Sequence, residues 1–243
     1  MSEKQAIVEA FTELAPRYEQ TVDGELKRFW GWSYDGFIEN MLNSTVFHPD
    51  DVVLDVATGT AVIPRKLLAR GKTSGRIIGL DITLAMLQQA TQQIKSVKKG
   101  APIGLTCGSA MGMPFRNQLF DVIVCGLATH HLNVPVVLSE MYRVLKGDGR
   151  LTIADVGGSA LWRFPLINWI IRLATFVYFL PKEGYARARS EAAALDHVLT
   201  DKEWRDLLEK LGFEEVVIQY LPVSHFWSPT PFVIQASKRK VEF

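Results

Sequence analysis

At 243 residues, with 48% hydrophobic side chains, the chain is long enough for one α/β domain with additions and can fill a substantial core. Its 27 basic and 26 acidic residues leave a formal net charge of +1, without the basic excess or stripe that nucleic-acid binding calls for. Two cysteines, Cys107 and Cys125, are expected to be free, buried thiols. No C-x-x-C spacing exists and the five histidines show no zinc-like arrangement, so no metal is expected. The opening residues Met1 to Gln5 run into a polar, acidic stretch without a signal-peptide core, and a cytoplasmic location is expected.

Residues 4–45 read as helical, with Ile7, Val8, Phe11 and Leu14 on one face and Pro16 beyond its end. From Val52 the pattern changes to alternating units. Val52 to Val56 is a run of β-branched and aliphatic residues that suits a strand buried on both faces. Further strands are expected at Arg76–Asp81, Ile103–Cys107, Phe120–Cys125 and Leu151–Asp155, with helices at Ile63–Arg70, Leu84–Val97 and Val134–Leu145 between them. Successive βα units imply a parallel sheet with helices on both faces, because the crossovers are right-handed.

Leu161 to Leu180 is very apolar, but Arg163, Pro165, Asn168 and Arg172 interrupt it, which favours a buried or interfacial helix over a membrane span. Thr200 to Glu203 reads as a capping box, Gly212 ends its helix, and Phe213–Tyr220 with Pro231–Ser237 are expected to form an edge hairpin.

In an open parallel sheet, ligands bind beyond the carboxyl ends of the strands. The first such end reads Asp55-Val56-Ala57-Thr58-Gly59-Thr60, a turn of small residues that lets a ligand approach the backbone. Asp81 ends the second strand about 20 residues later, where a carboxylate reaches ribose hydroxyls. The third end holds Gly108-Ser109-Ala110, and the fourth leads to His130 and His131. A dinucleotide oxidoreductase would place G-x-G-x-x-G at the first turn, and Ala57 to Val62 lacks two of the three glycines.

The ordered series VLDVATGT, IIGLDIT, CGSAMGMPF, FDVIVCG and LSEMYRVLKGDGRLTIAD resembles the class I methyltransferases that use S-adenosylmethionine (SAM). Closest in pattern are the ubiquinone/menaquinone biosynthesis C-methyltransferases and their small-molecule relatives, and AFTELAPRYEQ is similar to the helix and tyrosine ahead of their core. The resemblance implies a Rossmann-like α/β fold: a seven-stranded, mostly parallel sheet with helices on both faces, an N-terminal helical lid and a helical insertion after strand five. The implied divisions are a cap over 1–45, a SAM-binding core over 46–155, an acceptor lid over 156–199, and a helix and strand pair over 200–243 completing the core.

By the same resemblance, SAM is the cofactor. Asp55, Ala57, Thr58, Gly59 and Thr60 form its methionine-side turn, Asp81 holds the ribose, and Ile82, Met86, Ser109 and Ala110 meet the adenosine. Gly126 lies beside the sulfonium and Tyr18 closes over the cofactor. Ala57 and Ala61 stand where the family carries glycine, which alanine replaces most easily if φ is negative there.

The implied acceptor is a small apolar or aromatic metabolite, methylated on oxygen or carbon. Trp30, Trp162, Trp169 and Tyr185 are candidates to line its site. His130 and His131 replace the family's arginine-asparagine pair in the loop after strand four. They are the candidate catalytic residues, with His130 as the base and His131 supporting the loop. A membrane-associated lipid or quinone methyltransferase and a SAM-binding protein without catalysis stay open as alternatives. So do peripheral membrane contact and a homodimer.

Overall fold

The computed structural model describes residues 3–71, 75–97, 102–223 and 230–239; Met1 and Ser2 of the opening segment lie outside them. Three helices lead: α1 (Glu3–Leu14), α2 (Tyr18–Trp30) and α3 (Tyr34–Ser44). Pro16 falls in a short 3₁₀ turn between the first two, where its missing N–H costs no helical hydrogen bond. Ser33 caps α3 by accepting the Gly36 N–H at 3.0 Å.

The alternating core follows as β1 (Val53–Val56), α4 (Val62–Arg70), β2 (Ile77–Asp81), α5 (Leu84–Val97), β3 (Ile103–Cys107), β4 (Phe120–Gly126), α6 (Val134–Val144) and β5 (Leu145–Val156). Then come α7 (Pro165–Ala194), α8 (Asp201–Leu211), β6 (Phe213–Tyr220) and β7 (Pro231–Lys238). The seven strands form one sheet in the order β3-β2-β1-β4-β5-β7-β6, with β7 antiparallel to both its neighbours. The hairpin expected at the edge is therefore present. Thr200 and Glu203 make the capping box in full, and Gly212 ends α8 in a left-handed conformation.

Alternation along β4 divides its side chains between two cores. Val122 and Val124 face α2, α3 and α4, whereas Ile123 and Cys125 face α6 and α8. Helices thus cover both faces, as right-handed crossovers require.

Two expectations need correction. Strand β5 begins at Leu145 rather than Leu151, because Phe120 pairs with Leu145 before a register shift carries the chain past Gly149. Cys107 is exposed, because β3 is the sheet's edge strand and has no neighbour on its outer side. The apolar segment, as expected, is helical and not a membrane span. It opens a 30-residue helix kinked at Gly184 (φ 82°), three residues after Pro181. Leu166, Trp169, Ile170, Leu173 and Val177 are exposed on it. No helix among the described residues is long and apolar enough to cross a membrane.

Cys107 and Cys125 end strands separated by β2 and β1, too far apart for a bridge. Burial, with Asp155 and Asp55 nearby, raises the Cys125 pKa well above the ordinary thiol range. A thiol reagent should therefore modify Cys107 in the native protein and Cys125 only after unfolding. A disulfide-bridged peptide in a non-reducing digest would contradict the strand order.

Candidate active site

Strand order reverses between β1 and β4, so the chain leaves their carboxyl ends toward opposite faces and a crevice opens there. The next residues, Ala57 and Leu127, border a cavity of about 330 Å³ in that crevice. Gly59, Asp81, Ile82, Met86, Ser109 and Ala110 also line it, under Tyr18 and Phe11.

Three non-glycine residues of this region adopt left-handed backbone: Ala57 (φ 57°), Ala61 (φ 62°) and Leu127 (φ 53°). The two alanines thus hold positive φ, the conformation in which alanine replaces glycine least easily. Each such residue costs about 1–2 kcal/mol, a strain concentrated at the crevice.

The turn after β1 is held by buried carboxylates. Asp55 accepts the Thr58 hydroxyl at 2.5 Å. Thr58 packs against Gly79, where any Cβ would fall 2.7 Å from the Thr58 Oγ1, so β2 needs glycine at that point. Asp81 accepts the Gly59 N–H on one oxygen and the Thr83 N–H on the other, each at 2.8 Å. Burial pushes the Asp55 pKa up to about 8, with the Thr58 hydrogen bond opposing and Asp81 adding to the rise. Burial also raises the Asp81 pKa, against the N–H donors of Thr83 and Gly59.

Several expected contacts lie under the cavity rather than in its wall. Thr60 donates to Glu19 at 2.8 Å, tying α2 to the turn. Gly126 packs toward Ile63, Ile38 and Met41, and Leu127 after it borders the cavity instead.

A second cavity of about 540 Å³ adjoins the first, between α2 and α7. Phe11, Tyr18, Leu127 and His131 border both. Trp30 and Trp162 line the second cavity, Trp169 borders a separate one of about 520 Å³, and Tyr185 is 59% exposed and stacks edge-on against Phe176. Tyr18 is half-buried between the ring of Tyr34, 6.1 Å away, and Gly59, and desolvation raises its pKa to about 12.

The two histidines sit in a short 3₁₀ turn after β4 and play different parts. His130 Nδ1 lies 2.6 Å from Asp155, a fully buried carboxylate near the end of β5. Asp155 also accepts the Thr129 hydroxyl and the backbone N–H groups of His130 and Val156. Burial opposes a charge on His130, but the Asp155 carboxylate outweighs it and raises the imidazole pKa. Burial likewise opposes the Asp155 charge, and His130 with the surrounding donors holds its pKa low. His131 is buried edge-on against Phe11, 3.3 Å from Glu191, and burial together with His130 lowers its pKa.

His130, His131 and Glu191 bring potential metal donors within 4.8 Å of one another. Arg187 Nη2 lies 3.0 Å from the same Glu191 oxygen, so a guanidinium already supplies positive charge there. Sequence reasoning passed over Asp155 and Glu19. A carboxylate ending the apolar run of β5 was the available signal for the first; nothing local marked the second.

Residues 54–153 match the family model described as a methyltransferase domain. A demethylmenaquinone methyltransferase of Lactobacillus johnsonii is 30% identical over 87% of this chain and 86% of its own length. Another, of Symbiobacterium thermophilum, is 29% identical over 90% and 88%. The chain belongs to the SAM-dependent methyltransferases. The fold of this methyltransferase agrees. A SAM-dependent methyltransferase of Aquifex aeolicus superposes with a TM-score of 0.60 at 17% identity, over 91% of this chain and 97% of that one. A Haemonchus contortus phosphoethanolamine N-methyltransferase solved with S-adenosylhomocysteine gives 0.64 at 13%, over 94% and 59%. As a member of that family, the methyltransferase takes SAM as its cofactor.

The left-handed turn generates a stability prediction. Ala57→Gly removes about 1–2 kcal/mol of backbone strain and adds about 0.5–1 kcal/mol of unfolded-state entropy, for a net gain of up to about 1.5 kcal/mol. Urea unfolding should show a higher midpoint at unchanged slope. Ala61→Gly should gain less, because its methyl group is fully buried. A destabilised Ala57→Gly would mean that the turn is not left-handed.

Proposed function

We propose that this methyltransferase passes the methyl group of SAM to a hydroxyl oxygen, or to a ring carbon that a hydroxyl activates. The acceptor is a small, largely apolar or aromatic metabolite held in the 540 Å³ cavity. The observation that carries this reading is His130 in that cavity's wall, paired with the buried Asp155 behind it and beside the residues shared with the smaller cavity. The names of the two similar quinone-pathway enzymes support an aromatic acceptor.

The smaller cavity suits SAM in its chemistry. Each Asp81 oxygen accepts one backbone N–H and keeps a lone pair for a ribose hydroxyl. The bare Cα of Gly59 leaves room beneath Tyr18, whose ring would lie 3.7 Å from a Cβ there. Ala57 and Gly59 then border the methionine side, while Ile82, Met86, Ser109 and Ala110 border the adenosine. Bound there, SAM supplies an electrophilic methyl group on a sulfonium.

The protein's own work is alignment and proton removal. Asp155 engages Nδ1 of His130, which leaves Nε2 as the free ring nitrogen. Nε2 would take the hydroxyl proton and so free the acceptor's electron pair for the methyl carbon; the bond that yields is the methyl–sulfur bond, and the uncharged thioether is the leaving group. The imidazolium so formed is stabilised by Asp155. This pairing favours catalysis over a binding-only role. Trp30 and Trp162 serve as flat apolar walls, and α7 covers the acceptor. The exposed row from Leu166 to Val177 along α7 favours a peripheral membrane contact, where an apolar acceptor would be concentrated.

Two measurements test this reading. Asp81→Asn weakens a charge-assisted hydrogen bond and should lower SAM affinity by about tenfold or more by calorimetry; unchanged affinity would exclude the ribose assignment.

The raised His130 pKa places the rise of the pH–rate profile above 6.5, with activity lost as pH falls and the imidazole protonates. Asp155→Asn removes the charge that raises it, so the limb should move to lower pH and the plateau should drop. His130→Ala should abolish the limb and lose about 10²–10⁴ in rate while SAM affinity persists. A limb unchanged in both variants would remove the base from the mechanism.

A further inference from the structure

The larger cavity is walled by aromatic and aliphatic side chains, yet it contains an arginine that is 6% exposed. Arg187, on α7 beyond the Gly184 kink, lies with its guanidinium carbon 5.1 Å from the Phe11 ring centroid and 5.8 Å from that of Phe179. Nη2 reaches Glu191 at 3.0 Å and Glu25 at 3.4 Å. Nε and Nη1 are buried without a hydrogen-bond partner. A guanidinium carries five N–H donors and cannot be deprotonated in a protein, so burial does not neutralise it. Buried donors that lack acceptors are costly, and among the described residues no oxygen completes these two, which lie closed off behind the cavity wall. A guanidinium held between two rings at the wall of a cavity sized for a small molecule, with two donors unsatisfied until it turns toward an anion, is an anion-recognition element.

Resting on the reading of this cavity as the acceptor site, we propose that the acceptor is an acid, a hydroxylated apolar body bearing a carboxylate that meets the Arg187 guanidinium at the cavity wall, whose unpaired N–H groups turn to it on binding. Recognition and chemistry then divide between two groups of the cavity. Arg187 binds the carboxylate and orients the molecule, and His130 faces the hydroxyl. Arg187 is a specificity-determining residue in this scheme, because a neutral analogue leaves its donors unpaired.

Glu25 lets the site accept another negative charge. Burial pushes its pKa up to about 7, against the attraction of Arg187; Glu191 and Glu183 add to the rise and His130 opposes it. Arg28 and Lys182 border a shallow cavity with Glu25 on its outer side. Glu191 and Asp155 keep their charges, because the partners around each hold its pKa low. An entering carboxylate beside Arg187 therefore favours protonated Glu25, so acid binding takes up a proton and weakens as pH rises above neutrality.

The test uses the full chain saturated with S-adenosylhomocysteine and two probes of equal ring size, 3-hydroxy-2-naphthoate and 2-naphthol, titrated by calorimetry at about pH 6.5 and about pH 8.5. The wild type should bind the acid at least about tenfold more tightly than the naphthol at the lower pH, with a smaller ratio at the higher pH. Arg187→Met should erase the preference while naphthol and cofactor binding persist. Arg187→Lys, which keeps the charge but not the planar fork, should retain part of it. If Arg187→Met unfolds because Glu25 and Glu191 lose their counter-charge, the double variant Arg187→Met, Glu25→Gln makes the same comparison. Equal affinity for both probes in the wild type overturns the proposal, as does a preference that survives loss of the guanidinium. If the wild type binds neither probe, the aromatic-acceptor reading of the cavity has failed, an outcome distinct from a lost preference, and the proposal falls with it.

Discussion

Three buried aspartates near the carboxyl ends of three parallel strands hold the working edge of this molecule together. Asp55 on β1, Asp81 on β2 and Asp155 on β5 are each under 10% exposed. A carboxylate in that position is costly unless it is paired or hydrogen-bonded. Each therefore takes its donors from the loops above the sheet. Asp55 takes the Thr58 hydroxyl, Asp81 the N–H groups of Gly59 and Thr83, and Asp155 the Thr129 hydroxyl and three groups from His130 and Val156. The need to satisfy three buried carboxyl groups fixes the loops that border both cavities.

That bracing explains how left-handed alanines persist at Ala57 and Ala61. The turn after β1 is determined by the Asp55–Thr58 and Asp81–Gly59 bonds, so the backbone tolerates local strain that an isolated turn would relax. It also explains why the two adjacent histidines differ. His130 faces Asp155 and gains basicity, whereas His131 packs against Phe11 and Glu191 and loses it. Identical side chains one residue apart are driven in opposite directions by which neighbour each meets.

The helical cover obeys a different constraint. Helix α7 is apolar on both sides along its first half, with Ile171, Tyr178 and Phe179 toward the cavity and Leu166, Ile170 and Val177 outward. Past the kink, its inward groups change to Arg187 and Glu191. The cavity beneath thus has an apolar end under the first half and a charged end near the histidines. On the proposed reading of this cavity as the acceptor site, the asymmetry would orient the acceptor.

The sequence by itself determined the sheet and its ligand-binding edge. Buried parallel strands must be continuous apolar runs, and their alternation with helices leaves few topologies, so β1 to β4 and the positions of Asp55, Asp81 and Ser109 were legible from local pattern. The capping box at Thr200 and the final hairpin were equally local signals. Tertiary structure alone decided the rest. The early start of β5 depends on the pairing of Leu145 with Phe120, a contact across 25 positions that no window displays. The exposure of Cys107 follows from its strand lying at the edge, and the outward displacement of Tyr185 and Trp169 from how a kinked helix is rotated over α1 and α2. Above all, Asp155 meets His130, and Arg187 meets Phe11, Glu25 and Glu191, only because the sheet order and the returning helix bring distant segments together. Burial and neighbouring charge set the chemistry of these groups, and both are properties of the assembled fold rather than of any stretch of chain.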